Sequence, residues 1–216
     1  MARPRTPKID IPRIVQAALE LADEHGDFTL GEIATRLSVH ASSLYHHVAG
    51  REEVLEHVRA WFAARIELPP MDIGTWDVAL IALARSYRAA FRQHPGSVRL
   101  LAAAPVHDAD TLAAFESIAE LLVGAGFEDR DVVPLMMSLD NFVLGSALEP
   151  LGDDLYSTEP GVHPTLTRSV GAARGPVRPQ DRAFELGLQS LVSGYRALLH
   201  PPADPATAHN LEEPRS

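Results

Sequence analysis

The sequence contains no cysteine, so disulfides, thiolate nucleophiles and cysteine-held zinc are all excluded. Aromatic residues are only 6% of the chain and β-branched runs are scarce, which argues against a sheet protein. No run of 18 apolar residues occurs, so no membrane-spanning segment is expected. The first ten residues, MARPRTPKID, are basic but lead into no apolar stretch. They do not read as a secretory signal, and a cytoplasmic protein is expected. Lysine is nearly absent: Lys8 is the only one among 19 basic residues, which reads as compositional bias. There is no internal repeat and no phosphate-binding glycine loop, since the Gly124-Ala125-Gly126 stretch follows no strand and reads as a helix stop.

What is present suits a helical globular protein. Of 216 residues, 46% are apolar and 22% charged, enough to bury a substantial core. Ala, Leu, Glu and Arg dominate, with apolar residues spaced three and four apart. The formal net charge is −10, but it is unevenly placed. Residues 1–65 hold 8 basic and 9 acidic residues, so the acid lies in the remaining two-thirds. Arg3, Arg5, Lys8 and Arg13 against Asp10 make the first 13 residues a basic arm.

The pattern predicts an all-α protein of about nine to ten helices. The first spans about 11–25, with Asp10 as N-cap, Pro12 in the first turn and Gly26 as the stop. A short helix at 30–37 opens on a Thr29/Glu32 capping box. Ser38-Val39-His40 form a tight turn before a third helix at 41–47. A linking helix follows from Arg51 to about 68, its acidic Glu52 and Glu53 suiting the positive end of the helix dipole. Further helices are expected at 75–93, 96–103, 109–124, 129–149 and 179–199. The 129–149 helix is apolar on more than one face, so it is buried on several sides or shared with a second subunit. Residues 150–178 carry eight Pro or Gly and read as a loop with room for a turn of helix at 164–172. Residues 201–216 read as a disordered tail.

Two short helices joined by a three-residue turn, with a longer helix on either side, are a helix-turn-helix layout. Leu37, Val39 and Leu44 supply its apolar lock, and Ala34 allows close approach. The second short helix then presents Ser42, Ser43, Tyr45, His46 and His47, all able to reach phosphates or base edges.

The stretch FTLGEIATRLSVHASSLYHHVAGREEVLEHV, residues 28–58, resembles the DNA-binding part of the TetR family of one-component transcriptional regulators. The resemblance rests on Phe28-Thr29, Ile33-Ala34, Leu37, Val39, Ser43-Leu44-Tyr45, His47-Val48 and Arg51. Residues 75–149, with FRQHPG and FVLGSALE as landmarks, resemble the C-terminal domain of the branch that includes the tetracycline repressor.

This likeness implies a DNA-binding domain at 1–65 (basic arm 1–9, linking helix 51–68) and a ligand-binding and dimerisation domain at 70–200. It implies a homodimer paired through helices near 129–149 and 179–199, with residues 41–47 of each subunit in a major groove. A small-molecule effector would enter the C-terminal domain and release the double-stranded operator, so the protein would be a repressor rather than an enzyme, with no cofactor. The DNA-facing set carried over is Thr29, His40, Ser42, Ser43, Tyr45, His46, His47 and Arg51. Arg51 stands where the family usually has a phosphate-binding lysine, Ser38 where it has a turn glycine, and Gly31 where the tetracycline repressor has a base-reading arginine.

The effector set implied is Phe91, His94, Leu100, Phe115, Met137, Asn141, Phe142 and Glu149, with Leu101, Met136 and Asp140 as further candidates. Arg99 or Leu100 stands near the position of that repressor's metal-binding histidine. A tetracycline–magnesium effector is therefore not expected, and a mostly apolar or amphipathic molecule is.

Other readings stay open on the residues alone. His40, His46, His47 and His57 form a cluster that suggests metal, although DNA-facing histidines explain it equally and no His-Glu-x-x-His spacing accompanies it. Tyr45 can pack on the first helix. The methionines and phenylalanines of the effector set can be core. Glu149 can cap or pair, and with Asp140 or Asp153 it makes a carboxylate pair with no nucleophile or cofactor motif beside it. The basic arm can follow a minor groove or merely solubilise the end. The alternatives at the level of function are a helical protein–protein adaptor and a metal-binding protein without DNA binding.

Overall fold

The computed structural model describes residues 9–67, 75–102, 106–148, 156 and 161–199. Most of the basic arm, Glu149 and the expected tail lie outside these. Ten helices are described and no strand: α1 (Ile11–His25), α2 (Leu30–Arg36), α3 (Ala41–Leu44), α4 (Arg51–Ala63), α5 (Trp76–Phe91), α6 (Ser97–Ala102), α7 (Ala109–Gly124), α8 (Asp129–Ala147), α9 (Pro164–Ala173) and α10 (Pro179–Leu199).

Local chemistry sets most boundaries. Asp10 accepts from the Arg13 N–H at 3.0 Å and starts α1. Gly26 ends it at φ +79, donating to the Ala22 carbonyl. The capping box of α2 is complete: Glu32 N–H donates to Thr29 Oγ1, and Thr29 N–H donates to Glu32 Oε2 at 2.7 Å.

Three helices differ from the expectation: α4 ends at Ala63 rather than near 68, the chain closing into turns on the Phe62 and Ala63 carbonyls. α3 is a single turn, ending at Leu44 rather than 47. Beyond it the chain continues in turns, with His47 and Val48 both donating to the Leu44 carbonyl, and Val48 is buried in the core. The loop after residue 150 holds a ten-residue helix, α9, opened by Pro164 and with no buried residue in this chain.

Two apolar clusters organise the packing. One joins α1–α4 through Ile14, Leu19, Phe28, Ile33, Leu44, Val54 and Val58, and continues through Phe62 into Phe91, Val98 and Leu101 of α5 and α6. The second joins α5, α7, α8 and α10 through Leu80, Leu122, Leu139, Val143, Leu188 and Val192. Tyr195 ties α10 to α8 by donating to the Leu135 carbonyl at 2.8 Å. Pro134 sits inside α8, where it withholds one helical hydrogen bond. Among the described residues no helix is long and apolar enough to cross a membrane.

Candidate nucleic-acid interface and ligand cavity

The α2–α3 turn is built around one strained residue. Ser38 adopts φ +55, the left-handed region that glycine occupies without strain. The turn is held by Ser38 N–H to Thr35 O and Val39 N–H to Ala34 O, both at 3.0 Å. Leu44 is fully buried and locks α3 onto the head. The side chains that flank it are therefore turned outward. Ser42, Tyr45, His46, His47 and His40 are exposed, and Ser43 is half-buried. Tyr45 is 59% exposed, so most of its ring faces outward. Because α3 stops at Leu44, Tyr45, His46 and His47 project from a turn and not from a helix face. Among the described residues no three His, Asp or Glu side chains come together as a metal site.

The two flanking members of the expected DNA set already have partners. The Thr29 hydroxyl donates to Glu32 Oε2 at 2.7 Å while accepting from the Glu32 N–H. The hydroxyl bonded to it holds the Glu32 carboxyl below its ordinary range. A phosphate contact from Thr29 requires that the hydroxyl leave Glu32. Arg51 reaches Asp27 at 2.7 Å and lies over the Phe28 ring, 5.1 Å from its centroid. Its guanidinium is thereby held at the edge of the exposed surface rather than swinging freely. Arg36, by contrast, turns back onto α1, bonding Glu24 at 2.8 Å.

Between the head and the later helices lies a cavity of about 260 Å³. Phe62 and Ala63 of α4, Tyr87 and Phe91 of α5, Leu101 of α6, Phe115 of α7 and Met136 of α8 contribute to its wall. Phe62 and Phe91 stack with centroids 4.1 Å apart, and Tyr87 meets Phe91 edge-on at 5.0 Å. The lining is mostly apolar, with polar groups gathered from four residues: Arg59, Tyr87, Thr111 and Asp140. Tyr87 donates to Asp140 Oδ1 at 2.6 Å. Burial pushes the Asp140 carboxyl up, against the pull of the Tyr87 hydrogen bond and of Arg59. Burial, with the neighbouring carboxylate, likewise raises the Tyr87 hydroxyl.

Of the effector candidates, Phe91, Leu101, Phe115, Met136 and Asp140 line the cavity, and the others described do not. Met137 is 59% exposed on the outer side of α8, and Asn141, one turn further along, is exposed too. Phe142 is a helix-packing group: it stacks on Phe184 at 5.4 Å and lies so close to Gly187 that α10 has no room for a Cβ there. Leu100 packs against the first core cluster. His94 faces α1, bonding Asp23 through Nδ1 at 2.6 Å. The helical register separates these residues: positions 136 and 140 share the inner face of α8, and 137 and 141 share the outer one. Tyr87 and Arg59 are not marked as site residues by their place in the sequence. What marks them is the hydrogen bond of Tyr87 to Asp140, 53 positions away, and the place of Arg59 on the same cavity wall.

The cavity touches the same elements that hold the head. Asp23 of α1 accepts from His94 and, at 2.9 Å, from the Gly96 N–H at the start of α6. Trp61 of α4 packs edge-on against the His94 ring, with centroids 5.1 Å apart. A molecule that spread α4 from α5 or α6 would therefore act on the helices carrying the exposed turn.

Comparison with known proteins agrees with this architecture. Residues 68–199 match the tetracyclin repressor-like C-terminal domain family. The chain is 31% identical to an HTH-type transcriptional regulator of Saccharopolyspora erythraea, over 88% of this chain and 86% of that one. It superposes with a TM-score of 0.72 on a possible TetR family regulator from Streptomyces coelicolor A3(2), at 26% identity, covering 88% of this chain and all of the other. A similar fit, TM-score 0.67 at 26% identity over 90% of this chain and 97% of the other, is found with the Streptomyces coelicolor TetR family protein ActR in complex with actinorhodin. A helix-turn-helix head, a cavity between the helices and these matches lead to one conclusion: the chain belongs to the TetR family, whose members are transcriptional regulators and not enzymes.

Proposed function

We propose that the protein is a homodimeric repressor that binds a palindromic operator and leaves it when a small, mostly apolar molecule fills the cavity. In this reading residues 1–65 bind DNA, and residues 70–200 bind the effector and pair the subunits. The observation that carries the reading is the coupling of an outward-facing Ser42/Tyr45/His46/His47 surface to an aromatic-lined cavity through α4 and the Asp23–His94 contact. The structure of ActR bound to actinorhodin supports a small molecule as the effector.

Pairing is supported by the outer faces of α8 and α10. Val133 and Met137, one turn apart on α8, are 60% and 59% exposed, and Leu186 on α10 is 61% exposed. Apolar groups repeated at this spacing suit a four-helix bundle between two subunits. Two reading heads related by a two-fold axis would meet half-sites about one DNA turn apart.

The test is selection of bound duplexes from a random library, followed by gel shift with the enriched sequence. An inverted repeat whose binding weakens with added salt supports the proposal, since phosphate contacts release counterions. No enrichment even at low salt overturns it in favour of an adaptor role.

A further inference from the structure

Resting on that reading of the cavity, we infer that the effector is an aromatic molecule bearing a protonated amine, with Asp140 and Tyr87 as the residues that select it. The ring system lies among Phe62, Phe91 and Phe115, and the ammonium group seats against the Asp140 carboxylate beside the Tyr87 ring.

Three observations converge. First, Asp140 places a carboxylate on the cavity wall, where Oδ1 accepts the Tyr87 hydroxyl and Oδ2 takes no hydrogen bond among the described residues. A carboxylate in such a setting is stabilised by a cation or donor brought in by the occupant. Second, the charge around this corner does not cancel. Arg59, the cation among the described lining residues, stands 3.7 Å from Asp108 and acts on Asp140 as well, so one guanidinium serves two carboxylates. With both carboxylates ionised, Arg59, Asp108 and Asp140 carry one excess negative charge, and an anionic ligand would be placed beside it. Third, four of the lining residues, Phe62, Tyr87, Phe91 and Phe115, are aromatic, and ring faces and edges attract an ammonium group. Desolvation alone opposes the ionised form of Asp140, and an ammonium partner removes that opposition.

The experiment uses three probes of one shape: 2-(1-naphthyl)ethylamine, 2-(1-naphthyl)ethanol and 1-naphthylacetate. Each is titrated calorimetrically into the full chain at neutral pH, and then into Asp140→Asn and Tyr87→Phe. The amine should bind at least roughly tenfold more tightly than the alcohol, and the acid least well, as an unpartnered buried charge costs more than a decade of affinity. Asp140→Asn should abolish the preference for the amine while retaining the alcohol, and Tyr87→Phe should reduce that preference. Met136→Trp, which fills the cavity, should remove binding of all three. An alcohol or acid that binds the unaltered chain as well as the amine overturns the assignment of a cation and leaves the cavity as an effector site. An amine preference that survives Asp140→Asn or Met136→Trp also overturns it, because the amine then sits elsewhere. If none of the probes binds, the cavity reading itself fails and the inference falls with it. The three-probe series on the unaltered chain decides the cation question even if a variant does not fold.

Discussion

Asp23 and His94 lie 71 positions apart and meet at 2.6 Å, with the His94 Nδ1–H donating to the Asp23 carboxylate. The second oxygen of Asp23 accepts from the Gly96 N–H, so a single α1 side chain holds the middle and the far end of the α5–α6 connection. The fit is tight enough that a Cβ on Gly96 would collide with the Ala22 carbonyl and the Asp23 backbone.

Gly96→Ala should therefore wedge α6 off the end of α1. The contact is backbone against backbone and cannot be relieved by a rotamer change, so we expect about 1–3 kcal/mol of lost stability. Chemical denaturation with gel shift in parallel would check this. A variant as stable as the parent, with unchanged operator affinity, would show that the clamp is not rigid.

Ser38→Gly should act in the opposite direction. The left-handed conformation costs an ordinary side chain about 1–2 kcal/mol, partly returned by the greater freedom of glycine in the unfolded chain. A net gain of about 0.5–1 kcal/mol is expected, read as a rise in denaturation midpoint. A loss would mean that the Ser38 side chain stabilises the turn by more than its backbone strain costs.

Tyr45→Ala tests the exposed surface. Tyr45 is mostly solvent-exposed and makes no core contact, so the fold should be unaffected while operator binding weakens by about 1–3 kcal/mol. Equal affinity for the selected duplex would remove Tyr45 from the interface.

Asp140 predicts a pH-dependent difference. Its carboxyl is raised in the folded chain, so the ionised form destabilises the fold, and that cost grows as pH rises from the ordinary carboxylate value to the raised one. Asp140→Asn keeps an acceptor for the Tyr87 hydroxyl and removes the charge. The variant should be more stable than the parent at neutral pH, and the advantage should vanish below about pH 4. Thermal melts across this range would show it, and a constant difference between the two proteins would contradict the assignment.

Met137→Glu places a charge on the outer face of α8. If that face pairs two subunits, sedimentation should report a monomer at concentrations where the parent is a dimer, with operator binding lost as the two half-sites are no longer held together. A dimer that survives the change moves the interface elsewhere.

The helices of this protein were legible because their signals are local. Asp10, the Thr29/Glu32 box, Gly26 and the 3.6-residue apolar spacing act within a turn or two of where they stand, so α1, α2, α5, α7 and α10 follow from neighbours in the chain. The helix-turn-helix was readable for the same reason, and Ser38 in place of glycine announced a turn that must accept a side chain. The end of α3 was not. It depends on Val48 being drawn into a core made by α1, α2 and α4, a contact made across the fold.

The cavity lies further still from what spacing reveals. A phenylalanine on an amphipathic helix has the same pattern whether it lines a cavity or packs a helix pair. Phe91 and Phe115 do the first, and Phe142 does the second because Gly187 on α10 leaves room for its ring. Composition and periodicity alone determined an all-helical chain with an exposed polar turn. Which faces of α8 point inward, which arginine meets which carboxylate, and that Tyr87 and Asp140 share a corner were decided by tertiary packing, because burial and charge pairing depend on neighbours distant in sequence.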